Sequence, residues 1–231
     1  VALAIFAPLA LVGAFLAALM IKRADPRKRS EFGLMPAYWR TPRAILLMFC
    51  FGLVNSGYSL TVAWLAPFFQ SIGHSAATGG TIVAVMALAQ TVTALGLPIL
   101  SRRSRDKRPW FWLALALQLL GFGALIFAPG LNPYLIAALL GSGLGGCFAL
   151  ALVISLDHLA DPWRAGALSA AMQGGGFIIA ALVPLLISAL HGFMPDFSLI
   201  WALQSALILI VAVLTLRLDP NRYAQALASH G

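Results

Sequence analysis

The basic residues of this chain are confined to a few connections between long apolar stretches. All 15 Lys and Arg fall at residues 22–43, 102–108, 164 and 217–222. Seven stretches without any charged residue remain, at 1–21, 44–71, 79–100, 109–128, 133–156, 166–190 and 198–216. About 20 apolar residues in a helix cross the hydrocarbon core of a bilayer, which is about 30 Å thick. The pattern therefore predicts seven membrane-spanning helices.

The alternation of basic and non-basic connections also predicts how these helices are oriented. The connections 72–78, 129–132 and 191–197 contain no Lys or Arg, whereas the connections between them carry the basic blocks. Cytoplasmic loops carry the excess of Lys and Arg in membrane proteins. We therefore expect a multi-pass protein of the cell inner membrane whose N-terminus lies outside and whose C-terminus is cytoplasmic.

The composition excludes a soluble protein and makes nucleic-acid binding an unnecessary explanation of the charge. Hydrophobic residues make up 61% of the chain and charged residues only 10%, which leaves too little polar surface for a water-soluble domain. The net charge of +8 lies in short loops beside the apolar stretches. Orientation and attraction to anionic lipid headgroups account for charge in that position. The expected partner is the lipid bilayer, and no nucleic acid is expected.

No pattern typical of a catalytic or metal site is present in the sequence. The chain has no H-E-x-x-H motif, no nucleophile elbow and no lysine within a predicted span to hold retinal. The histidines lie in loops or in the tail without ligand spacing, at positions 74, 158, 191 and 230. We therefore expect neither an enzyme nor a bound cofactor. Cys50 and Cys147 fall within predicted spans, where a thiol packs as a small apolar group.

Glycine is frequent within the predicted spans. Residues 141–146 read G-S-G-L-G-G and match the dinucleotide-binding pattern G-x-G-x-x-G. That pattern requires a preceding strand, and here it lies within an apolar stretch of spanning length. Small residues four apart, such as Gly141 and Gly145, instead allow two membrane helices to approach closely. The sequence therefore predicts helix–helix contacts at these glycines.

Neutral polar side chains within the spans form the candidate binding site. Asn55 and Tyr58 share one helix face in the second span, Gln90 lies in the third, and Gln173 lies in the sixth. A buried amide without a partner is costly in lipid, so these faces should point into the bundle or into a watery cavity. Hydrogen bonds between helices and contacts to a substrate both satisfy this requirement. We take Asn55, Tyr58, Gln90 and Gln173 as candidate substrate-binding residues.

The charged residues nearest the spans offer a candidate gate. No span contains Lys, Arg, Asp or Glu, so an anion would have to be held by amides, by Tyr58 or by helix N-termini. This composition favours a neutral solute over an anion. Asp157 and Arg164 bracket the loop after the fifth span, where they are candidates for a cytoplasmic ion pair that opens and closes. Exposed ion pairs of this kind are individually weak.

Residues 156–180 resemble a known transporter family. They read Leu-Asp-His-Leu-Ala-Asp-Pro at 156–162, Ala-Gly at 165–166 and Met-Gln-Gly-Gly-Gly-Phe-Ile-Ile-Ala at 172–180. These motifs resemble the cyanate transporter branch of the major facilitator superfamily, which also includes 2-nitroimidazole transporters. The resemblance extends from about residue 44 to 219. It implies that the protein transports a small solute, either a cyanate-like anion or a small neutral heterocycle, by alternating access.

The resemblance also implies an architecture of twelve spans in two halves. The expected fold is all-α, a polytopic membrane helical bundle that forms the C-terminal six-helix half of this transporter fold plus one preceding helix. Its parts are the last helix of the N-terminal half (1–21), a cytoplasmic central loop (22–43), the six-helix half (44–216) and a cytoplasmic tail (217–231). We accordingly expect a truncated chain whose partner is the missing N-terminal half. Helices seven, eight, ten and eleven line the cavity in this family, which favours the four candidate binding residues.

Two alternatives remain open from the residues alone. A receptor or sensory protein with seven helices fits the predicted topology, and so does a structural membrane subunit that pairs through its glycine faces. The short outer loops and the absence of an intramembrane lysine argue against the receptor.

Overall fold

The computed structural model describes residues 39–191 and 196–223, together with the single positions 12, 15 and 16. It contains six long helices followed by two 3-10 turns: α1 (Pro42–Ser71), α2 (Ala76–Ser101), α3 (Arg108–Phe127), α4 (Pro133–Leu156), α5 (Pro162–His191), α6 (Phe197–Leu214), Thr215–Arg217 and Pro220–Arg222. Each helix is long and apolar enough to cross a membrane. The all-α class is therefore confirmed, and each of the last six predicted spans has ends within four residues of its helix. The predicted first span, nearly all of the central loop and the end of the tail lie outside the described residues.

Short polar side chains determine where the helices begin. Thr41, Ser75, Asn132 and Asp196 each accept a hydrogen bond from a backbone N–H in the first turn of the helix that follows. Such a cap satisfies one of the N–H groups that a helix leaves without a partner. Proline follows the cap of α1 and of α4, where its missing N–H costs nothing. The connections are therefore encoded locally.

Helix α4 forms the centre of the bundle. It contacts α1, α2, α3 and α5, while α1 packs along α5 and α6 packs on α1 and α3. Helix α2 is the least buried of the six. Its outer face carries large exposed apolar side chains: Leu88, Val92, Leu95 and Ile99.

One end of the bundle holds the start of α1, the α2–α3 loop, the α4–α5 loop and the segment after α6. We call it the basic end.

Glycines bring α2 and α4 into backbone contact. A Cβ atom added at Gly141 would overlap the carbonyl oxygen of Met86, and one added at Gly145 would overlap that of Gln90. The two glycines lie one turn apart on the same face of α4. The predicted helix–helix contacts at Gly141 and Gly145 are therefore confirmed. Dispersion between closely approaching backbones drives association where lipid removes the hydrophobic effect.

A second glycine contact joins α1 and α5. A Cβ atom at Gly52 would lie 2.6 Å from the carbonyl oxygen of Gly176, and one at Gly175 would lie 2.5 Å from Sδ of Met48. Both helices start at the basic end, so they cross here as parallel neighbours. This crossing fixes how far α5 is displaced along α1.

A buried amide connects α1 to α6. Gln204 is fully buried; its Nε2 donates to the carbonyl of Leu53 (3.0 Å), and its Oε1 accepts from the Ser56 hydroxyl (3.1 Å). The Ser56 hydroxyl also lies 2.7 Å from the Leu53 carbonyl. This is the interhelical hydrogen bonding that polar side chains provide in membrane bundles.

Replacing Gln204 with leucine is expected to destabilise the bundle by about 1 kcal/mol, the usual size of an interhelical hydrogen bond in a membrane protein. The free energy of unfolding in mixed detergent micelles measures the effect. Ser205→Ala is the matched control, because the Ser205 hydroxyl bonds only to Trp201 of its own helix among the described residues (2.8 Å). Equal losses in the two variants would contradict a role for Gln204 between helices.

Candidate functional site

Asn55 and Tyr58 lie on the face of α1 that its neighbours leave partly uncovered. The Asn55 side chain is half-buried and its Nδ2 donates to the carbonyl of Phe51, 2.7 Å away in the same helix. Tyr58 is 42% exposed and lies one turn further along. Within the part of the chain that the structure describes, Asn55 bonds to no other helix. The interhelical hydrogen bonds of α1 are made instead by Ser56 with Gln204.

The amides of α2 and α5 are similarly placed at the edges of helix contacts. Gln173 is half-buried, and its Nε2 lies 3.4 Å from the Ser169 carbonyl and 3.5 Å from the Ser169 hydroxyl. Distances this long correspond to weak hydrogen bonds. Gln90 is half-buried, and its backbone carbonyl rests on Gly145 of α4. Neither side chain joins two helices among the described residues.

Contacts with α4 place Asn55 and Gln90 at the same depth in the bundle. Helix α1 runs antiparallel to α4: the Phe51 ring lies 5.6 Å from that of Phe148, and Gly57 faces Leu144. By this register, Asn55 is level with Gly145, which is also the residue that Gln90 contacts. The structure therefore brings Asn55, its neighbour Tyr58 and Gln90 to one level, about halfway along the bundle.

Gln173 lies at a different depth. The α1–α5 crossing pairs Gly52 with Gly176, so Asn55 is level with about residue 180 of α5. Gln173 precedes that position by seven residues, or about 10 Å at the rise of an α-helix. It is displaced toward the basic end. The four candidate residues therefore divide into a group of three and a separate amide.

Three phenylalanines lie between these two levels and were not among the residues that the sequence singled out. The ring of Phe51 contacts that of Phe148 (5.6 Å between centroids) and that of Phe177 (5.2 Å, edge to face). Phe51 is buried, whereas Phe177 is half exposed. The sequence spacing could have indicated two of them, because Phe51 precedes Asn55 by four residues and Phe177 follows Gln173 by four. An aromatic ring thus lies one helical turn from Asn55 and another lies one turn from Gln173.

The candidate gate residues lie at the basic end. Asp157 ends α4, and Arg164 is exposed in the first turn of α5. Burial raises the pKa of the Asp157 carboxyl, and the positive charge of Lys107 acts in the opposite direction. Lys107 is buried in the α2–α3 loop, where its Nζ donates to the carbonyls of Ser101 (2.8 Å) and Ser104 (2.7 Å). The pairing of Asp157 with Arg164 stays a prediction.

Comparison with known proteins gives one family and three relatives. The family model described as Major Facilitator Superfamily matches residues 1–170. The cyanate transport protein CynX of Escherichia coli (strain K12) is 42% identical over 185 residues, 80% of this chain and 48% of the relative. The 2-nitroimidazole transporter of the same organism is 26% identical over 153 residues, 66% of this chain and 39% of the relative. An uncharacterized transporter of Bacillus subtilis (strain 168), YycB, is 25% identical over 178 residues, which are 76% of this chain and 42% of the relative.

The chain spans about half the length, or less, of these relatives. The family match covers most of the chain, and the 42% identity to the cyanate transport protein extends over four fifths of it. Six helices of spanning length and composition agree with a multi-pass membrane protein. The chain therefore belongs to the major facilitator superfamily.

Proposed function

We propose that this chain is part of a transporter that moves a small solute across a membrane by alternating access. Such a transporter rocks two helical halves around a site near the middle of the bilayer. Two relatives are named as transporters of cyanate and of 2-nitroimidazole, and the receptor alternative finds no support among the relatives. Because the relatives are about twice as long, transport requires a second half, which we take to be N-terminal to the six helices.

The substrate contacts in this half are Asn55, Tyr58 and Gln90. Two observations support this assignment. The three residues lie at a common depth, and the amides of Asn55 and Gln90 do not connect helices among the described residues. An amide with unused hydrogen-bonding capacity in a membrane is costly unless a solute or water satisfies it. The phenol of Tyr58 adds one donor and acceptor at the same level.

Gln173 is a second contact along the path of the solute. It lies about 10 Å nearer the basic end by the helical rise, with the phenylalanines between it and Asn55. A solute moving toward the basic end would meet the two levels in succession. The loop with Asp157 and Arg164 would then act as the gate at that end.

The substrate is a small neutral heterocycle or a small anion such as cyanate. Within the described residues, the cations that lie in the six helices are Arg43, Arg108 and Arg164, all in the first turn of their helices. This half therefore offers neutral donors and aromatic rings at mid-depth, a combination that suits a flat neutral ring. An anion would draw its countercharge from outside these residues. No catalytic role is proposed.

We place the basic end in the cytoplasm and the protein in the inner membrane. The support is the distribution of the basic residues, which follows the rule for cytoplasmic loops. The C-terminus is then cytoplasmic.

The site is tested by uptake of labelled cyanate and 2-nitroimidazole into proteoliposomes that contain the full-length transporter. Asn55→Ala and Gln90→Ala should each lower the uptake rate at low substrate concentration by about three- to ten-fold, which corresponds to one lost hydrogen bond. We expect a smaller loss for Gln173→Ala, because this residue lies away from the main level. All rates are normalised to the amount of reconstituted protein.

Thr91→Ala is the matched control for Gln90→Ala. Thr91 is the next residue of α2, is exposed, and bonds to the carbonyl of Ala87 in its own helix (2.9 Å). The Thr91→Ala protein should take up both compounds at the rate of the parent protein. If Asn55→Ala and Gln90→Ala both transport at the parent rate, the site assignment is wrong. If neither compound enters with the parent protein, neither is the substrate.

A further inference from the structure

The segment after α6 folds back across the basic end of the bundle. We call residues 215–223 the tail strap. It consists of two 3-10 turns, and Asp219 caps the second by accepting a hydrogen bond from the N–H of Asn221 (3.0 Å). Leu218, between the turns, is only 2% exposed. A segment with a buried side chain and defined turns is docked on the bundle rather than extended into solvent.

The first attachment of the tail strap is to α3. Nε1 of Trp112 donates to the hydroxyl of Thr215 (2.8 Å), and Nη1 of Arg108 donates to the carbonyl of Leu216 (3.3 Å). The Arg108 guanidinium also lies 3.9 Å from the Asp219 carboxylate. Asp106 holds that guanidinium through contacts of 2.8–3.0 Å. Asp106 therefore fixes the orientation of the Arg108 guanidinium independently of the strap.

The second attachment is to the start of α1. Nη1 of Arg43 donates to the carbonyl of Arg217 (2.7 Å), and its Cζ lies 5.7 Å from the centroid of the Tyr223 ring. Arg43 is only 7% exposed. A cation over an aromatic ring is attracted more strongly when water is excluded. The strap thus supplies both an acceptor and a ring for a cation that it helps to bury.

The third attachment is to the end of α4. The rings of Tyr223 and His158 stack with centroids 3.7 Å apart and planes inclined by 14°. Both residues are buried, and Nδ1 of His158 lies 2.6 Å from the carbonyl of Ile154. Tyr223 therefore connects α1 to the end of α4, because its ring contacts both Arg43 and His158.

These three attachments tie together the basic ends of α1, α3 and α4, so any separation of these helices at that end requires the strap to detach. Helices α1 and α4 also carry Phe51 and Phe148 beside the candidate site. The strap is short and is held by a few contacts of one segment, which is typical of elements that detach without global unfolding. Alternating access repeatedly opens and closes such ends by small movements of packed helices.

We propose that the tail strap is a latch: docked, it holds the basic ends of α1, α3 and α4 in one closed arrangement, and its release permits that end to open. This inference rests on the proposed transport function. The tail strap would be a mobile element whose described contacts all lie within this six-helix half. A latch of this kind slows opening of the basic end and leaves the substrate contacts unchanged.

The test measures access to the basic end without any substrate. Ser155→Cys is introduced into the full-length protein, because Ser155 is fully buried and precedes His158 by three residues. The rate of maleimide labelling at this position is measured in proteoliposomes after subtraction of the parent background, to which the buried Cys50 and Cys147 belong. Adding Tyr223→Ala should raise the rate by about ten-fold, through loss of one ring stack and one cation–π contact.

Three further variants separate a latch from general loosening. Tyr223→Phe keeps the ring and should label as slowly as the parent, and Arg222→Ala, at the exposed neighbouring residue, should also be unchanged. Trp112→Phe removes the hydrogen bond to Thr215 together with one ring of the indole, and it should give an intermediate rate. It provides a test if Tyr223→Ala does not fold. Labelling that is no faster in Tyr223→Ala or Trp112→Phe than in Arg222→Ala would overturn the proposal. The labelling assay uses no substrate. Its result therefore tests the latch even if the uptake assay finds no transport of either compound.

Discussion

Replacing Gly145 with alanine is expected to destabilise the bundle by about 2–3 kcal/mol, the upper part of the range for overpacking a well-packed interior. The added Cβ would overlap the carbonyl oxygen of Gln90, which is backbone and cannot rotate away. The two helices would have to separate along their closest contact, where Gly141 also meets Met86. The free energy of unfolding in mixed micelles, followed by tryptophan fluorescence, measures the loss.

Gly123→Ala is the control for this prediction. Gly123 lies in α3, and a Cβ added there meets nothing within 4 Å. Because alanine favours a helix by about 1 kcal/mol over glycine in aqueous hosts, this variant should be neutral or slightly more stable. A Gly145→Ala protein as stable as Gly123→Ala would contradict the backbone contact between α2 and α4. Gly145→Ala should also lower uptake, because Gln90 moves with the displaced backbone.

Acidification of the basic side is expected to release the tail strap. Burial, together with the nearby Arg43 charge, lowers the pKa of His158 from 6.5 to about 4, against the opposing effect of its bond to the Ile154 carbonyl. The docked state thus binds fewer protons than the released state, so docking is strongest above about pH 6.5 and weakens as the pH falls toward 4. If the released histidine titrates at its ordinary value, docking should be about thirty-fold weaker at pH 5 than at pH 7.5.

The other groups that face His158 set the controls for this pH dependence. Burial raises the pKa of Tyr223 to about 12, so its phenol stays neutral over this range. Burial lowers the pKa of Arg43, and the nearby Tyr223 and Asp219 oppose this shift. Burial also raises the pKa of Asp157, against the opposing charge of Lys107. His158→Gln should flatten the pH dependence of Ser155→Cys labelling. Each rate is divided by that of an exposed cysteine at the same pH, because maleimide reacts with the thiolate. A ratio that is independent of pH between 7.5 and 5 in the Ser155→Cys protein would exclude this mechanism.

The sequence predicts the helices well because their signals are local. Length, apolar composition and the absence of charge identify each span, and caps such as Thr41 and Asn132 fix where it starts. The contacts of Gly141 and Gly145 were also predictable, since two small residues one turn apart leave room for one neighbouring backbone. None of these inferences requires knowledge of which helix lies beside which.

The depth of the candidate residues could not be predicted in the same way. Helical periodicity assigns Asn55 and Gln173 to faces, but it does not say how far α5 is displaced along α1. That displacement depends on the contact of Gly52 with Gly176, which pairs residues more than a hundred positions apart. The division of the four candidates into two levels is therefore a result of tertiary packing.

The tail strap escaped prediction for the same reason. Residues 217–231 read as a polar cytoplasmic tail, and neither Tyr223 nor Arg43 has a nearby sequence partner that reveals its contact. Their association depends on the start of α1 and the ends of α4 and α6 lying at the same side of the bundle. The positive charge of Lys107, fifty residues earlier, also acts on Asp157, and that influence is not visible from sequence proximity.

The central position of α4 has a consequence for how this protein is made. Helices enter the bilayer in the order of synthesis, so α1, α2 and α3 are present before α4 emerges. Helices α2 and α3 have their main contacts with α4 rather than with each other, and α1 meets α2 in only a small contact. A nascent chain that stops before residue 133 therefore holds α1, α2 and α3 without the helix that all three contact. We expect the insertion of α4 to join these helices into a bundle, and a substitution at Gly141 or Gly145 to weaken that step.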